Sequence, residues 1–363
     1  MVITQHRRLP RWSLVVPPVA ALVLAATWGR APGVDALLAL VAVGLVAAVV
    51  AAVHHAEVVA HRVGEPFGTL ILAVAVTVIE VGLIVTLMVS GGDETLTLAR
   101  DTVFAAFMIV CNGVIGLCIL VGALRHRVVD FRVEGVTGAL ATLTAVATLG
   151  LVLPTFTTST SGPTFSPAQL AFSGVAALIL YGVFVFVQTV RHRDYFLPVE
   201  TGSDEDHAPP PTDRTALLSL GLLGICLVAV VGLAKTASPA IESAVAAIGA
   251  PAAVVGVAIA LLVLMPETAA AVRAAARNRV QTSLNLALGS ALASIGLTIP
   301  TIALASIWLP GPLLLGLGPK EMVLLGLTVV VSVLTVATGR ATLLQGTVHL
   351  VIFGAFLFLA VMP

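Results

Sequence analysis

The stretch that decides the fold is GEPFGTLILAVAVTVIEVGLIVTLMVS, residues 64–90. From Gly68 to Ser90 its 23 residues contain one ionisable side chain, Glu80. A helix of this length, at about 1.5 Å per residue, crosses the hydrocarbon of a bilayer. A carboxyl at that depth costs roughly 2.5–3.5 kcal/mol on insertion scales, so it usually faces a partner, a cavity or an ion path. A second such acid, Glu267, follows in VAIALLVLMPETAAAV.

The rest of the chain has the composition of an integral membrane protein. Of its 363 residues, 59% are hydrophobic and 10% are charged, and the mean hydropathy is +1.11, far from the values of soluble domains. Apolar stretches of membrane length recur along the whole chain. We therefore predict an all-α integral membrane protein with about eleven transmembrane helices, at residues 14–28, 34–53, 68–90, 101–124, 136–154, 167–190, 215–234, 245–266, 283–307, 320–338 and 341–362.

The basic residues are sorted by side of the membrane. With a cytoplasmic N-terminus, only Arg30, Arg100, Lys235 and Lys320 of the 18 basic residues lie in outer segments. The positive-inside rule therefore predicts a cytoplasmic N-terminus and, after eleven spans, an outer C-terminus. This sorting leaves no basic patch for nucleic acid, and the chain has no GxxxxGK[ST] motif for a nucleotide. Transport by such a chain must draw on an ion gradient.

The two acids lie in similar halves of the chain. A Gly-x-Pro step opens each acid-bearing helix, at residues 64–66 and 249–251. The two helices would cross the membrane in opposite directions, which is typical of inverted-repeat transporters with a site near the midplane. The predicted organisation is an N-terminal transmembrane helix, a five-helix repeat with Glu80, an acidic, Pro-rich cytoplasmic linker and an inverted five-helix repeat with Glu267, at residues 1–30, 31–198, 199–214 and 215–363.

Two buried carboxylates suit the exchange of a cation for protons. Burial disfavours the charged form of Glu80 and Glu267, so each acid favours a bound proton when no metal is present. A bound cation stabilises the charged form instead. Two acids are neutralised by two protons or by one divalent cation, whereas the empty dianion is costly to move through a low-dielectric barrier. Oxygen ligands alone suit a hard ion such as Ca²⁺, although two Na⁺ would balance the charge equally well.

Four further polar or backbone-altering residues bear on such a site. Thr77 can bond its own backbone or face a cavity, and Asn112 either joins two helices or lines a path. Pro266 removes a backbone donor and favours a kink that frees carbonyls for an ion. His349, in the last span, is expected to be a hydrogen-bonded core histidine, and a role in transport is the alternative.

A different class of function rests on the motif HHAEVVAHR. In a helix, His54, Glu57 and His61 share one face. Such a face can hold a metal, although a polar stripe at the membrane edge is the commoner outcome. An intramembrane metalloenzyme that uses these three residues is therefore an alternative, and a passive cation channel is a third candidate.

Several stretches resemble the cation/proton exchanger branch of the calcium/cation antiporter superfamily, above all its bacterial calcium/proton antiporters. They are residues 54–84, 181–196, the acidic linker, 266–300 and 339–350. In that family each repeat carries a membrane-embedded Glu that binds Ca²⁺ and alternately protons, and these positions match Glu80 and Glu267. The family's Gly-Asn-x-x-Glu motif is absent from both repeats, where Val76-Thr77 and Val263-Leu264 take the place of its Gly-Asn.

The resemblance implies a function and further site residues. Asn112 matches a polar position of the next helix in the first repeat, and Ser290 matches one in the second. The implied function is a secondary antiporter of the bacterial inner membrane that exchanges cytoplasmic Ca²⁺ for external protons by alternating access. A Na⁺(K⁺)/H⁺ antiporter of the same fold is the alternative. No resident cofactor is expected, because the cation is the substrate.

Overall fold

The computed structural model describes residues 9–29, 36–64, 67–90, 95–197, 210–247, 249, 251, 253–308 and 311–363. Within these ranges the chain forms eleven helices, as predicted. They are α1 (Arg11–Thr27), α2 (Ala36–Val63), α3 (Phe67–Ser90), α4 (Leu98–His126), α5 (Val133–Phe156), α6 (Pro167–Arg191), α7 (Asp213–Ala247), α8 (Ala253–Ala275), α9 (Val280–Ala305), α10 (Pro319–Val336) and α11 (Leu343–Val361).

Ten of these eleven helices in the described part of the chain are long and apolar enough to cross a membrane. The exception is α1, with 17 residues. The predicted all-α membrane fold is confirmed. Two three-residue strands, which the sequence did not predict, pair antiparallel: β1 (Val128–Asp130) and β2 (Arg340–Thr342).

Three helices differ in extent from the predicted runs. α2 continues past residue 53 to Val63, α7 continues past residue 234 to Ala247, and α8 covers 253–275 rather than 245–266. Hydropathy marks only the apolar middle of a helix, whereas backbone hydrogen bonding also continues through its polar ends. Glu267 therefore lies inside α8, with two further turns after it, and not at the end of the helix.

Two helix starts follow recognisable local sequence signals. Ser166 and Gln169 form a capping box at α6, where the Ser166 backbone N–H donates to Gln169 Oε1 at 2.9 Å. Thr342 and Gln345 form another at α11, also at 2.9 Å. Each box satisfies backbone donors that a helix start leaves open.

The predicted linker is described only at its end. Residues 198–209, which carry most of its acids, lie outside the described residues. Asp213 begins α7 and forms an ion pair with Arg62 at the end of α2, with Nη2 and Oδ1 2.6 Å apart. This pair is exposed, so its contribution to stability is about 1 kcal/mol or less.

The chain divides into two compact units. The first contains residues 1–90 and 202–244, and the second contains residues 91–201 and 245–363. The first unit therefore has α1, α2, α3 and most of α7, and it combines elements of both predicted repeats. The second has the other seven helices and both strands.

Small residues allow close packing within the first unit. A Cβ added at Gly68 of α3 would collide with the carbonyl group of Ala60 on α2. A Cβ at Gly82 would lie 2.9 Å from a methyl group of Val231 on α7. Membrane helices commonly pack through such small residues, because apolar burial does not drive their association in lipid.

The second unit groups its loops at two ends. At one end β1 pairs with β2, Arg125 Nη1 donates to the carbonyl of Ala276 at 3.2 Å, and Arg132 Nε donates to the carbonyl of Leu197 at 3.0 Å. These loops are the ones that the sequence assigns to the cytoplasm. Nine of the eleven basic residues of this unit lie at this end.

At the other end of the second unit, the connections predicted to be external meet. Arg100 Nη1 donates to the carbonyl of Gly316 at 3.2 Å, and Thr155 Oγ1 donates to the carbonyl of Leu317 at 2.9 Å. The Leu317 backbone N–H donates to the carbonyl of Leu151 at 2.8 Å. The alternating course of these seven helices through the unit is therefore the predicted one.

Candidate functional site

Glu80 lies in the middle of α3, in the first compact unit. The residue is 1% exposed. Thr77, one turn earlier on the same face, is 5% exposed, and its Oγ1 donates to the carbonyl of Ala73 at 2.8 Å. The Thr77 hydroxyl thus gives its hydrogen to its own helix, and its oxygen lone pairs remain available as a neutral ligand.

Glu267 lies in α8, in the second compact unit, and is half-buried. Pro266, directly before it, sits inside the helix without ending it. Because proline has no N–H, the carbonyl of Leu262 loses its donor within the helix. On the other side of the acid, Thr268 Oγ1 donates to the carbonyl of Leu264 at 2.7 Å. The carbonyl that Pro266 is predicted to free would therefore lie about one turn from Glu267.

Asn112 lies on α4, in a π-helical segment at Ile109–Val114. All six residues of this segment are buried, and Asn112 has no exposed surface. A π turn widens the helix by one residue, costs stability and is frequent at functional sites. This segment is therefore a second candidate part of the site, and the sequence alone gave no indication of the π turn.

The helices α4 and α8 run parallel within the second unit. At one end, a Cβ on Gly256 of α8 would lie 2.9 Å from the backbone nitrogen of Thr102 on α4. At the other end, Arg125 donates to the carbonyl of Ala276, just beyond α8. Parallel α4 and α8 are what opposite insertion of the two repeats requires, since α4 follows one acid-bearing helix and α8 is the other.

This parallel course places Glu267 and Asn112 at the same level. At about 1.5 Å per residue, Glu267 lies about 16 Å beyond Gly256, and Asn112 lies about 15 Å beyond Thr102. The contact of Gly256 with Thr102 fixes the common origin. The amide of Asn112 and the carboxyl of Glu267 are therefore at similar depth on neighbouring helices.

The side chain of Asn112 belongs to a chain of buried hydrogen bonds. Its Nδ2 donates to Thr328 Oγ1 at 2.8 Å, and Thr328 Oγ1 in turn donates to the carbonyl of Leu324 at 2.7 Å. Its Oδ1 is 3.1 Å from His349 Nδ1, and His349 Nε2 is 3.1 Å from Thr335 Oγ1. With the amide in this orientation, His349 is the neutral tautomer that donates from Nδ1 and accepts at Nε2.

This chain of hydrogen bonds bears on the predictions for Asn112 and His349. Asn112 joins α4 to α10 and α11, so it does connect helices, and its part in an ion path stays a prediction. His349 has no exposed surface and is hydrogen-bonded at both ring nitrogens, as expected of a core histidine. The sequence gave no signal for the two threonines, because α10 is distant from Asn112 along the chain.

Ser290 lies on α9 and is half-buried. α9 is linked to α8 where Ser283 Oγ donates to the carbonyl of Ala271 at 2.7 Å. Since α8 and α9 are consecutive helices joined by a short turn, Ser290 lies within about one turn of the level of Glu267. Of the predicted residues, the second unit therefore has Asn112, Pro266, Glu267 and Ser290 at similar depth, and the first unit has Thr77 beside Glu80.

The residues of the alternative metal site do not form one. The His54 ring packs against Trp12, with centroids 5.0 Å apart, whereas Glu57 and His61 are exposed. His55 is the buried member of the motif, and its Nε2 lies 2.9 Å from the carbonyl of Ser13. In the described part of the chain, no group of three or more His, Cys, Asp or Glu residues is arranged to hold a metal. His54 and His55 of α2 therefore contact α1.

Ten helices in the described part of the chain are of membrane length, and two of them carry an acid within an apolar stretch, as is typical of a membrane transporter. Residues 35–190 and 218–362 match the sequence model of a protein family, which is described as sodium/calcium exchanger protein. The chain belongs to this family, whose members are transporters and not enzymes.

Relatives from bacteria extend over nearly the whole chain. The protein y4hA of Sinorhizobium fredii (strain NBRC 101917 / NGR234) is 49% identical over 361 residues, 98% of this chain and 97% of y4hA. The sodium-potassium/proton antiporter ChaA of Escherichia coli (strain K12) is 34% identical over 360 residues, 98% of this chain and 96% of ChaA. The Ca²⁺/H⁺ antiporter of Aphanothece halophytica is 26% identical over 275 residues, 69% of this chain and 71% of that protein.

The solved structure of native YfkE has the same fold. It superimposes with a TM-score of 0.71 at 17% identity, over 97% of this chain and 99% of YfkE. The family match and the named relatives, together with this common fold, identify the chain as a cation/proton exchanger of the calcium/cation antiporter superfamily. This agrees with the resemblance drawn from the sequence and excludes the metalloenzyme alternative.

Proposed function

We propose that this protein exchanges cytoplasmic Ca²⁺ for external protons across the bacterial inner membrane, with Glu80 and Glu267 as cation ligands and proton carriers. The observation that carries the proposal is the placement of two carboxyls within membrane-length helices, of which Glu80 is 1% exposed. The N-terminus is cytoplasmic in this proposal, because the basic loops gather at one end.

The charge states of two acids explain why exchange is coupled. Two protons or one Ca²⁺ neutralise the pair, and both loaded forms can move through a low-dielectric barrier. The dianion is costly to move, so it does not return empty. Alternating access that follows this rule exchanges Ca²⁺ for protons and limits the leakage of either ion.

Apart from the two acids, the residues proposed as ligands offer neutral oxygen atoms. Thr77, Asn112 and Ser290 offer hydroxyl and amide oxygens, and the carbonyl freed by Pro266 offers another. Ca²⁺ takes six to eight oxygen ligands at flexible geometry, which such a set can supply together with water.

A second candidate keeps the fold and changes the ion to Na⁺ or K⁺. The observation in its favour is the 34% identity with a relative named for sodium-potassium/proton exchange. The positions three residues before the acids, Thr77 and Leu264, carry no amide. A site with fewer neutral oxygens favours a monovalent ion, because incomplete coordination costs a monovalent ion less free energy than it costs Ca²⁺.

Proton release from acid-loaded inside-out vesicles tests both candidates. Ca²⁺, Na⁺ and K⁺ are added separately, and luminal pH is followed with a fluorescent probe. We expect Ca²⁺ to release protons at the lowest concentration, and Glu80→Gln and Glu267→Gln each to abolish release. Glu134→Gln, an exposed glutamate in the first turn of α5, is the matched control and should behave as wild type.

Each other outcome is informative. Release by Na⁺ or K⁺ alone would overturn Ca²⁺ as the substrate and support the second candidate. Uptake of Ca²⁺ without proton release would indicate a passive channel. Unchanged release in either Gln variant would remove that residue from the mechanism.

A further inference from the structure

We propose that His349 is a positioning residue of the ion site, because it fixes the orientation of the Asn112 amide. The inference rests on the proposed function, in which Asn112 is a neutral ligand beside Glu267. Nothing in the sequence suggests the connection, since the two residues are 237 positions apart.

The first step is that the amide of Asn112 is held at both of its ends. Thr328 Oγ1 gives its own hydrogen to the carbonyl of Leu324, so it accepts from Asn112 Nδ2. His349 Nδ1 then faces Asn112 Oδ1 at 3.1 Å. A buried amide with one partner at each end cannot turn over without breaking both bonds, and leaving buried polar groups unpaired is costly.

The second step is that the network leaves Asn112 some free capacity. An amide oxygen has two lone pairs and an amide nitrogen has two hydrogens. His349 uses one lone pair, Thr328 accepts one hydrogen, and Met108 Sδ accepts from the same nitrogen at 3.8 Å. In the proposed site, the second lone pair of Oδ1 binds the cation at the depth of Glu267. Loss of the His349 bond would free the amide to rotate and present its nitrogen to the cation.

The third step is that His349 is itself fixed. Thr335 Oγ1 meets its far nitrogen at 3.1 Å. A Cβ added at Gly116 of α4 would lie 2.9 Å from His349 Cβ and 3.1 Å from the carbonyl oxygen of Gly346. The two glycines let α4 and α11 approach closely, and this approach brings the imidazole within reach of Asn112. Partners of this kind behind a ligand typically change metal affinity 10- to 100-fold when removed.

Two amide substitutions separate positioning from simple filling of space. Asn in place of His349 can put a donor near the position of Nδ1, whereas Gln puts it near the position of Nε2. We expect His349→Leu and His349→Gln to raise the half-saturating cation concentration about tenfold, with the maximal rate reduced much less. His349→Asn should retain most of the wild-type affinity. The probe is Ca²⁺-driven proton release in the vesicle assay, or Na⁺-driven release if wild type responds to Na⁺.

A double-mutant cycle completes the test. Asn112→Ala should raise the half-saturating concentration by a similar factor, and Asn112→Ala with His349→Leu should be no worse than Asn112→Ala alone. Thr335→Val leaves the bond between His349 and Asn112 in place and should have a smaller effect. Melting temperatures in detergent report on folding separately.

The outcomes are distinguishable from failure of the proposed function. If Glu80→Gln and Glu267→Gln abolish exchange but His349→Gln and His349→Asn have equal affinities, only the positioning role is overturned. Additive effects of the Asn112 and His349 variants would overturn it as well. If His349→Leu fails to fold, the comparison of the Asn and Gln variants still decides. Exchange that survives loss of either acid would refute the proposed function instead.

Discussion

The surroundings of Glu80 on α3 and of Glu267 on α8 differ, although both acids lie within membrane-length helices. Glu80 is 1% exposed, stands in the middle of an uninterrupted helix and has a threonine one turn before it. Glu267 is half-buried, follows a proline and has a leucine at the equivalent earlier position. One acid thus has a hydroxyl as its neighbour, and the other has a freed backbone carbonyl.

The two acid-bearing helices can therefore supply neutral oxygen atoms from different chemical groups. A cation needs neutral oxygens beside each carboxylate, and a threonine hydroxyl or a carbonyl released by proline can each provide one. The two acids are therefore expected to respond differently to the same substitution.

Shortening each acid should give unequal losses. Asp in place of Glu withdraws the carboxylate by about 1.5 Å. We expect Glu80→Asp to reduce the exchange rate about 100-fold, because the side chain is enclosed and its neighbours cannot shift to restore the lost contact, and Glu267→Asp about 10-fold, because a half-buried residue leaves its neighbours more room to adjust. Proton release from vesicles at saturating cation measures both. Equal losses would show that exposure does not distinguish the two sites.

Restoring the backbone donor on α8 should weaken cation binding. Pro266→Ala supplies an N–H to the carbonyl of Leu262, which raises helix stability and removes a free ligand. We expect about a fivefold higher half-saturating concentration, equivalent to about 1 kcal/mol, together with a higher melting temperature.

The matched control for Pro266 is Pro239, an exposed proline inside α7. Pro239→Ala should raise stability without changing the half-saturating concentration. If both variants leave cation affinity unchanged, the freed carbonyl on α8 has no part in binding, and the two acid-bearing helices are more alike than proposed.

The packing beside Asn112 should resist a single added methyl group. A Cβ at Gly346 would lie 2.8 Å from the Leu120 backbone nitrogen, whereas one at Gly354, on the same helix, meets nothing within 4 Å. Gly346→Ala should destabilise the protein by about 1–3 kcal/mol, and Gly354→Ala should be neutral or slightly stabilising. Thermal unfolding in detergent, followed by fluorescence-detected size exclusion, distinguishes them. Similar melting temperatures would contradict the close approach of α4 and α11.

The smallest effect is expected from the hydroxyl beside Glu80. Thr77 and Thr268 both donate to the carbonyl four residues back, at 2.8 and 2.7 Å, but only Thr77 shares a face with the acid on its helix. Thr77→Val should raise the half-saturating concentration about twofold, within the range of one neutral contact. Thr268→Val should leave it unchanged. A larger effect at Thr268 would mean that α8 uses its hydroxyl as well as its carbonyl.

The sequence predicted the helices well and their polar ends poorly. Runs without charge identify the spans, because a buried backbone in lipid must be helical. The same criterion ended the predicted spans too early, at residues 53, 234 and 266, since hydropathy does not report backbone hydrogen bonds. The grouping of loops at two ends of the second unit was predictable from the Arg and Lys residues, which are confined by the positive-inside rule.

The partners of the buried polar residues were not predictable. His349 was expected to be satisfied in the core, and the structure confirms it. Its partners come from helices far along the chain, so no local pattern connects them. The π segment around Asn112 has no recognisable sequence signature either, because it follows from the packing of α4 against its neighbours.

The amino-acid sequence alone predicts a membrane protein of about eleven helices, the sorting of its loops and the two acids proposed to bind the cation. These features depend on composition and on position along the chain, because each residue partitions between the lipid, the membrane interface and water according to its own polarity. The hydrogen bonds of Asn112 with His349 and Thr328, and the parallel course of α4 and α8, could be seen only in the tertiary structure. The same holds for the continuation of α8 beyond Glu267. These depend on contacts between distant segments, which form only when the helices pack.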